Sequence, residues 1–386
     1  MTGLRIKIAV GGRFHADKMM QVLAAQGHDV RLVTSFPSSR FPAIAPDRIT
    51  SFLFPEIAFR LAIKAGLAPW GERFKVIQFG RRLAAHLAKQ KIPPDVLLSW
   101  SSFALESFRL KGPNKKILMR DSSHISEQLS LLRDECRKWS VPFQVPRGIE
   151  DRELEEYQLA DKVLVLSDFA RRSFLNRGFS PERLQLLRLG VDASRFEPAL
   201  DWKLGNPLRV IYFGSISTRK GIPYLLEATS PFSPRELQLT LIGPIEPALR
   251  PVLARYSHAN YLPSLPHERL APCIRQADIF VMPTIEDGFG LTVPQAMASG
   301  LVPIVTDHCG AADIVEEGKS GFIVPAGNTQ SLRERIHQLL DNPTQIEAMR
   351  TEAIRGVKRW SWENYGRSLE MVFEGLEIKG PMANLG

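Results

Sequence analysis

Thr284-Ile285-Glu286-Asp287-Gly288-Phe289-Gly290-Leu291-Thr292-Val293-Pro294-Gln295-Ala296-Met297-Ala298-Ser299-Gly300 sets two carboxylates on a glycine-softened loop immediately before a helical pattern. A helix start offers unpaired backbone N–H groups and a partial positive charge of about half an electron, which suits a diphosphate. Glycines at 288 and 290 let the backbone approach such a ligand closely. Glu286 and Asp287 can accept hydrogen bonds from hydroxyls beside it. With Thr292 read as the N-cap, Pro294 falls in the first turn, where its missing donor costs little. Taken alone, the stretch is equally compatible with a polar loop that holds no ligand.

On both sides of it, short β-branched and leucine-rich runs alternate with longer amphipathic stretches, the pattern of parallel sheets covered by helices. Strands are expected at Ile6–Val10, Asp29–Thr34, Val96–Ser99, Lys116–Met119, Lys162–Leu166 and Leu184–Leu187. A second series is expected at Leu208–Phe213, Leu237–Ile242, Ile279–Met282, Val302–Val305 and Phe322–Val324. Two consecutive doubly wound α/β units account for both. The first spans residues 1–190 and the second 208–360, joined by a turn-rich linker over 191–207. Helices follow at Ser331–Leu340 and Thr344–Val357, then a final amphipathic helix within 361–378, with Ser361 and Asn364 as an imperfect capping pattern, and a frayed tail over 379–386. In open α/β sheets ligands bind beyond the carboxyl ends of strands. Gly11-Gly12, Gly214 with the run to Lys220-Gly221, Gly243 and the 284–300 stretch all lie at such ends. Two facing sheets would enclose a central cleft there.

The 386 residues suit two ordinary domains, and 44% apolar with 24% charged content is that of a globular protein. No apolar run reaches the roughly 18–20 residues of a membrane helix. The chain enters directly into a strand pattern at Ile6 without a signal-peptide core, so a cytoplasmic location is expected. Cys136, Cys273 and Cys309 are too scattered for a disulfide framework or a zinc site. The net charge of +9 favours anionic partners. Its excess is concentrated between 57 and 94, where Arg60, Lys64, Arg73, Lys75, Arg81, Arg82, Lys89 and Lys91 oppose only Glu72. Val76, Phe79, Leu83 and Leu87 recur there at helical spacing, giving either a core helix with a solvated basic face or a helix on an anionic membrane surface. No nucleic-acid-binding motif accompanies the charge, and no nucleic-acid partner is expected.

The chain resembles the retaining, nucleotide-sugar-dependent glycosyltransferases of family four, also called group 1, which have the GT-B fold. The resemblance is local at the N-terminus and nearly continuous from Ala160 to Trp362. Its markers run in order: Ala160-Asp161-Lys162-Val163, Gly190-Val191-Asp192, Gly214, Lys220-Gly221, Gly243, Gln276-Ala277-Asp278, Asp287-Gly288-Phe289-Gly290-Leu291 and Ala296-Met297-Ala298-Ser299-Gly300. It implies two Rossmann-like lobes facing a central cleft, with the last helix crossing back to the first lobe. It implies a sugar moved from a nucleotide-sugar donor, with retention, to a lipid-linked or polysaccharide acceptor.

Position by position, the resemblance makes Lys220 the grip on the donor diphosphate, and Gly11, Gly12, Gly214, Gly243, Thr292 and the backbone of Phe289, Gly290 and Leu291 the surface around the donor. Asp287, with Glu286 beside it, faces the transferred sugar, and His124 is similar to the family's N-lobe histidine; these three are the catalytic candidates. A helix-capping or loop histidine is the plainer reading of His124, a tight turn that of Gly11-Gly12, and an ordinary helix start that of His15. Two departures stand out. Ser215 replaces a frequent arginine, for which Arg219 is a substitute by proximity, and Gln295 replaces the second acid of the family pair, losing the charge that would meet the ribose hydroxyls. No Asp-x-Asp stands at a strand end, so neither a metal nor any other cofactor is expected. Same-face attack and a covalent intermediate both remain open. A peripheral place on the inner membrane face follows from the acceptor class and the basic segment.

Rivals are weaker. Gly11-Gly12 is a poor substitute for the GxGxxG of a nicotinamide enzyme, and Gly318-Lys319-Ser320 lacks its P-loop glycine, since Asp313 stands there. A non-catalytic sugar-nucleotide or partner-binding protein on a degenerate GT-B fold is the alternative, because fold does not establish activity.

Overall fold

Among the described residues, 3–113, 115–192 and 196–375 of a computed structural model, every pair of neighbouring strands runs parallel. The first sheet comprises β1 (Arg5–Val10), β2 (Asp29–Thr34), β3 (Ile49–Ser51), β4 (Val96–Trp100), β5 (Lys115–Arg120), β6 (Lys162–Val165) and β7 (Leu184–Leu186), in the order β3-β2-β1-β4-β5-β6-β7. The second comprises β8 (Leu208–Phe213), β9 (Leu237–Ile242), β10 (Ala259–Leu262), β11 (Ile279–Met282), β12 (Val302–Thr306) and β13 (Phe322–Val324), in the order β10-β9-β8-β11-β12-β13. Helices cover both faces, which is why the central strands read as unbroken apolar runs: β4, β11 and β12 are buried at every position. The order reverses between β1 and β4 in one sheet and between β8 and β11 in the other. Those two reversals open the crevices where such sheets bind ligands.

The expected strands are present, with ends shifted by a residue or so; the edge strands β3 and β10 had no sequence signal. Val76, Phe79, Leu83 and Leu87 of the helix Ala68–Ala88 are buried in the first lobe's core, so the core-helix reading of that stripe holds. Each such side chain contributes about 1.5–3 kcal/mol by leaving water. The preceding helix, Leu53–Lys64, does the opposite. Seven of the twelve large apolar side chains exposed among the described residues lie between 53 and 70, including Phe54, Ile57, Leu61 and Trp70.

The helix Trp362–Glu374 begins at Ser361, whose Oγ accepts from the Asn364 N–H at 3.2 Å. It crosses to the first lobe and lies on the helix Ala16–Ala25, burying Tyr365, Leu369, Val372 and Phe373. Gly366 brings its backbone within reach of the Gln26 amide, 3.1 Å, and an added Cβ there would sit 3.2 Å from Val22. Residues 193–195 of the linker, the last positions 376–378 of the expected crossing helix and the tail 379–386 lie outside the described residues.

Candidate active site at the facing strand ends

In the second lobe the loops after β8, β9 and β11 are packed backbone on backbone. Gly214 (φ 145°) and Gly243 (φ 150°) abut so closely that a Cβ on Gly243 would lie 1.8 Å from the Gly214 carbonyl oxygen. Gly221 (φ 64°) opens the helix Ile222–Thr229 with a Cβ direction 1.9 Å from the Pro283 oxygen. This contact joins the 217–221 loop to 283–287. The Ile285 N–H and the Thr284 hydroxyl both donate to the Arg219 carbonyl, at 2.9 and 3.1 Å. Lys220 is thereby delivered onto Asp287, with which it forms an ion pair. Burial opposes ionisation of Asp287, yet Lys220 and Arg219 outweigh it and hold the carboxyl below its ordinary range. The second Asp287 oxygen accepts from the Phe289 N–H at 3.2 Å.

Beyond Asp287 the chain turns at Gly290 (φ 83°), and the helix begins at Thr292 with Leu291, not Thr292, as its N-cap. The Thr292 hydroxyl points back to the Met282 sulfur at 3.9 Å. The expected threonine cap is thus replaced by a glycine turn that already sets the chain's direction. Thr292–Ala298 has only seven residues, which limits the charge its end can present. Gln295 lies one turn along from Thr292, on the same side of the helix.

Glu286 requires a correction. Its side chain has no solvent exposure, and it accepts from the Ser123 N–H and hydroxyl, both at 2.9 Å, from Gln128 Nε2 at 3.0 Å and from Arg219 at 2.7 Å. Ser123 and Gln128 belong to the first lobe. Both carboxylate oxygens are committed to an interlobe clasp, so Glu286 is not placed to contact a sugar. Burial works against its charge, but Arg219 and the Ser123 N–H prevail and keep its pKa below the usual range. Arg219 belongs to the same clasp: besides the ion pair, it donates to the Glu286 carbonyl at 3.1 Å and to Ser122 Oγ at 3.1 Å.

His124 takes the capping role. Its Nδ1 accepts from the Ser126 N–H at 3.2 Å at the start of the helix Ile125–Lys138, and its ring lies against Tyr157 (5.1 Å) and Phe174 (4.9 Å). Burial, with Arg177 and Arg120 adding to it, lowers its pKa to about 4. The capping contact occupies Nδ1 alone. His15, at the other helix start, is also buried, between Trp100 and Tyr365.

Gly11 and Gly12 lie under aromatic rings: a Cβ would meet Phe103 at 2.0 Å and Phe14 at 2.7 Å respectively. They border a cavity of about 470 Å³ at the first sheet's reversal point, walled by Phe14, Phe36, Trp100 and Phe103 and reached by Lys75 and Asp121. Asp121 escaped the sequence reading. It follows β5, its Oδ2 accepts from Trp100 Nε1 at 2.8 Å, and burial lifts its pKa to about 6. Its carbonyl oxygen stands 2.0 Å from where a Gly288 Cβ would be, so the loop carrying Asp287 touches the loop carrying Asp121. The strand-end rule that marked Gly11 and Gly214 could have marked Asp121.

A family model described as Glycosyltransferase Family 4 matches residues 11–195, and one described as Glycosyl transferases group 1 matches 207–342. The putative colanic acid biosynthesis glycosyltransferase WcaL of Salmonella typhimurium is 28% identical over 51% of this chain, which spans about half, 52%, of that relative's length. The MMP alpha-(1->4)-mannosyltransferase of Mycolicibacterium hassiacum is 27% identical with 96% of each chain covered. In solved structures, the sucrose-phosphate synthase of Thermosynechococcus elongatus superposes with a TM-score of 0.70 at 19% identity, covering 96% of this chain and 98% of that one. HepE of Anabaena in complex with UDP-glucose superposes at 0.65 and 13% identity, covering 96% and 100%. These structures share the fold, two Rossmann-like lobes in the GT-B arrangement.

Proposed function

We propose that this chain, which belongs to the group 1 glycosyltransferases, transfers a sugar from a nucleotide-sugar donor, with retention, to a lipid-linked or polysaccharide acceptor of the cell envelope. The observation that carries the reading is the Lys220–Asp287 pair at the second sheet's reversal point, pressed through Gly288 against the first lobe's 121–123 loop. A donor diphosphate arriving there exchanges the Asp287 carboxylate for its own oxygens on Lys220. As the bond between the anomeric carbon and the diphosphate breaks, negative charge grows on the leaving oxygen, and a fixed ammonium stabilises it more in the transition state than before. The acceptor oxygen attacks the anomeric carbon from the same face and its proton passes to the departing phosphate. Asp287, released from Lys220, is free to orient the transferred sugar. Relatives named for colanic acid biosynthesis and for mannosyl transfer support an envelope polysaccharide as the destination.

A bilayer-facing position is supported by the exposed apolar side chains of Leu53–Lys64 and the following turn, collared by Arg60, Lys64, Arg73, Arg81 and Arg82. The apolar wedge carries this reading more than the basic face of Ala68–Ala88. No described helix is long and apolar enough to cross a membrane.

The test is thermal stabilisation by a panel of nucleotide sugars, followed by turnover of the best one. Lys220→Ala should lose most of the stabilisation, and Asp287→Asn should lose turnover more than binding. Stabilisation without any turnover in wild-type protein would select a binding protein instead of a transferase.

A further inference from the structure

We propose that the first lobe carries a second ligand site, at the amino ends of its strands and on the far side from the cleft, which binds a small soluble phosphate monoester through Lys7, Arg31 and Lys91. The site stands independently of the transferase reading.

A cavity of about 330 Å³ opens there between β1, β2 and residues 90–94. Lys7 lines it. On β1 it lies two positions before Ala9, on the strand face that packs beneath the helix Ala68–Ala88 with Leu83 and Leu87. It is only 6% exposed. Directly opposite it on β2 stands Arg31, a like charge, which destabilises a cross-strand pair. The nearby carboxylates are committed to other cations. Asp95 accepts from Arg5 Nη2 at 2.6 Å, from Nε at 3.1 Å and from the Arg5 N–H at 2.9 Å. Asp29 is divided between Arg48 at 3.1 Å and Arg31 at 3.9 Å. Among the described residues none forms a hydrogen bond or ion pair with the Lys7 ammonium. Burial, with Arg31 adding to it and Asp29 opposing, lowers the pKa to about 8, so the group stays largely charged at neutral pH. A buried ammonium without a counter-charge is costly, and it gives the fold nothing that a methionine would not. An anion in the cavity supplies the missing partner.

The surroundings select the anion. Lys7 and Lys91, with Arg31 only loosely held by Asp29, leave about two positive charges to be met, the charge of a phosphate monoester. Ammonium groups and guanidinium forks are the usual donors to its oxygens. The cavity is larger than a bare phosphate, and Ile92, Pro93 and Pro94 give it an apolar wall, so the ester carries an organic group. The source is soluble and not a lipid headgroup. Trp70 of the apolar wedge stands in the first turn of Ala68–Ala88, whereas residues 90–94 follow its last, and 21 residues of helix separate the two by about 30 Å.

Inorganic phosphate, glucose 1-phosphate and ribose 5-phosphate are titrated calorimetrically, at constant ionic strength, into wild type, Lys7→Met, Arg31→Gln and Lys220→Ala. At least one ester should bind wild type more tightly than phosphate does, and Lys220→Ala, which removes the donor grip, should bind it equally well. Lys7→Met should weaken binding by about tenfold or more, the loss expected for a hydrogen bond to a charged group. Arg31→Gln, at a side chain that is mostly exposed, should weaken it severalfold without disturbing the fold. In phosphate-free buffer Lys7→Met should melt no lower than wild type, and stabilisation by the best nucleotide sugar should survive it. Absence of ester binding in Lys220→Ala, or binding that Lys7→Met leaves intact, overturns the proposal. A Lys7→Met protein that melts well below wild type would also overturn it, by showing that the protein already satisfies the ammonium. Co-sedimentation with phosphatidic acid vesicles should be unchanged by Lys7→Met; its loss there would assign the site to a lipid headgroup and overturn the soluble ligand.

Discussion

Removing the Glu286 carboxylate should unfasten the lobes. Glu286→Ala deletes the acceptor for the Ser123 N–H and hydroxyl and for Gln128, and it leaves Arg219 facing the interlobe seam without its counter-charge. Breaking a buried ion pair from one side costs about 3–5 kcal/mol. Arg219 is 38% exposed and can recover some hydration, which places the loss at about 3 kcal/mol, the lower end. If the lobes melt together, a chain of 386 residues has an unfolding entropy of about 0.8 kcal/mol/K, so the Tm should fall by about 4 °C. Scanning calorimetry reads that shift, and small-angle scattering reads a larger radius of gyration as the lobes separate. The sign with pH follows from the depressed pKa: the clasp contributes fully above the unfolded carboxyl value of 4.5 and is lost as pH falls from there through the lower folded value. Wild type should therefore stay closed down to pH 4.5 and open only below it, and Glu286→Ala at neutral pH should resemble wild type at that lower pH. An unchanged Tm together with unchanged scattering would show that other interlobe contacts, such as those that Asp313 accepts from Arg188 and from the Asp168 N–H, suffice.

Gln295→Glu should tighten nucleotide-sugar binding by about 1 kcal/mol, roughly fivefold, if residue 295 meets the ribose; competition titration of the nucleoside diphosphate measures it. Gly243→Ala should fail to give a folded second lobe, because its Cβ would fall 1.8 Å from a backbone oxygen, and circular dichroism with soluble yield reports this. His124→Asn should keep the helix cap while His124→Ala loses about 1 kcal/mol in denaturant unfolding, and neither the cap nor its loss should depend on pH between about 6 and 8, since the ring titrates near 4. Leu61→Ser with Trp70→Ser should abolish co-sedimentation with anionic vesicles, and Arg81→Glu with Arg82→Glu should weaken it; co-sedimentation unaffected by either pair would remove the membrane from the reading.

The alternation of buried strands and helices was legible because parallel sheets bury both faces, leaving short unbroken apolar runs such as Ile279–Met282. Ile49–Ser51 and Ala259–Leu262 were not, because edge strands are short and half-buried, and pairing on one side makes them strands. Lys220 and Asp287 were both singled out in the sequence and the fold brings them together, but adjacent carboxylates on one loop carry no record of their directions. Asp287 turns to Lys220 and Glu286 to the other lobe. Trp100 and Asp121 lie more than twenty positions from each other and far from any glycine motif, so only the sheet brings them together. The wedge was hidden for a related reason: nothing in the spacing of Leu61, Ile63 and Trp70 announces that no protein surface covers them.

The crossing of Trp362–Glu374 onto Ala16–Ala25 makes the first lobe a discontinuous unit, its opening helix covered by a segment synthesised some 340 positions later. During synthesis at about 5–20 residues per second, the apolar surface that Tyr365, Leu369 and Phe373 will occupy must wait tens of seconds for its cover. Nascent chains arrested before residue 362 should expose that surface to chaperones and dyes, and chains in which Trp362–Glu374 has cleared the ribosome should have closed it in one late step.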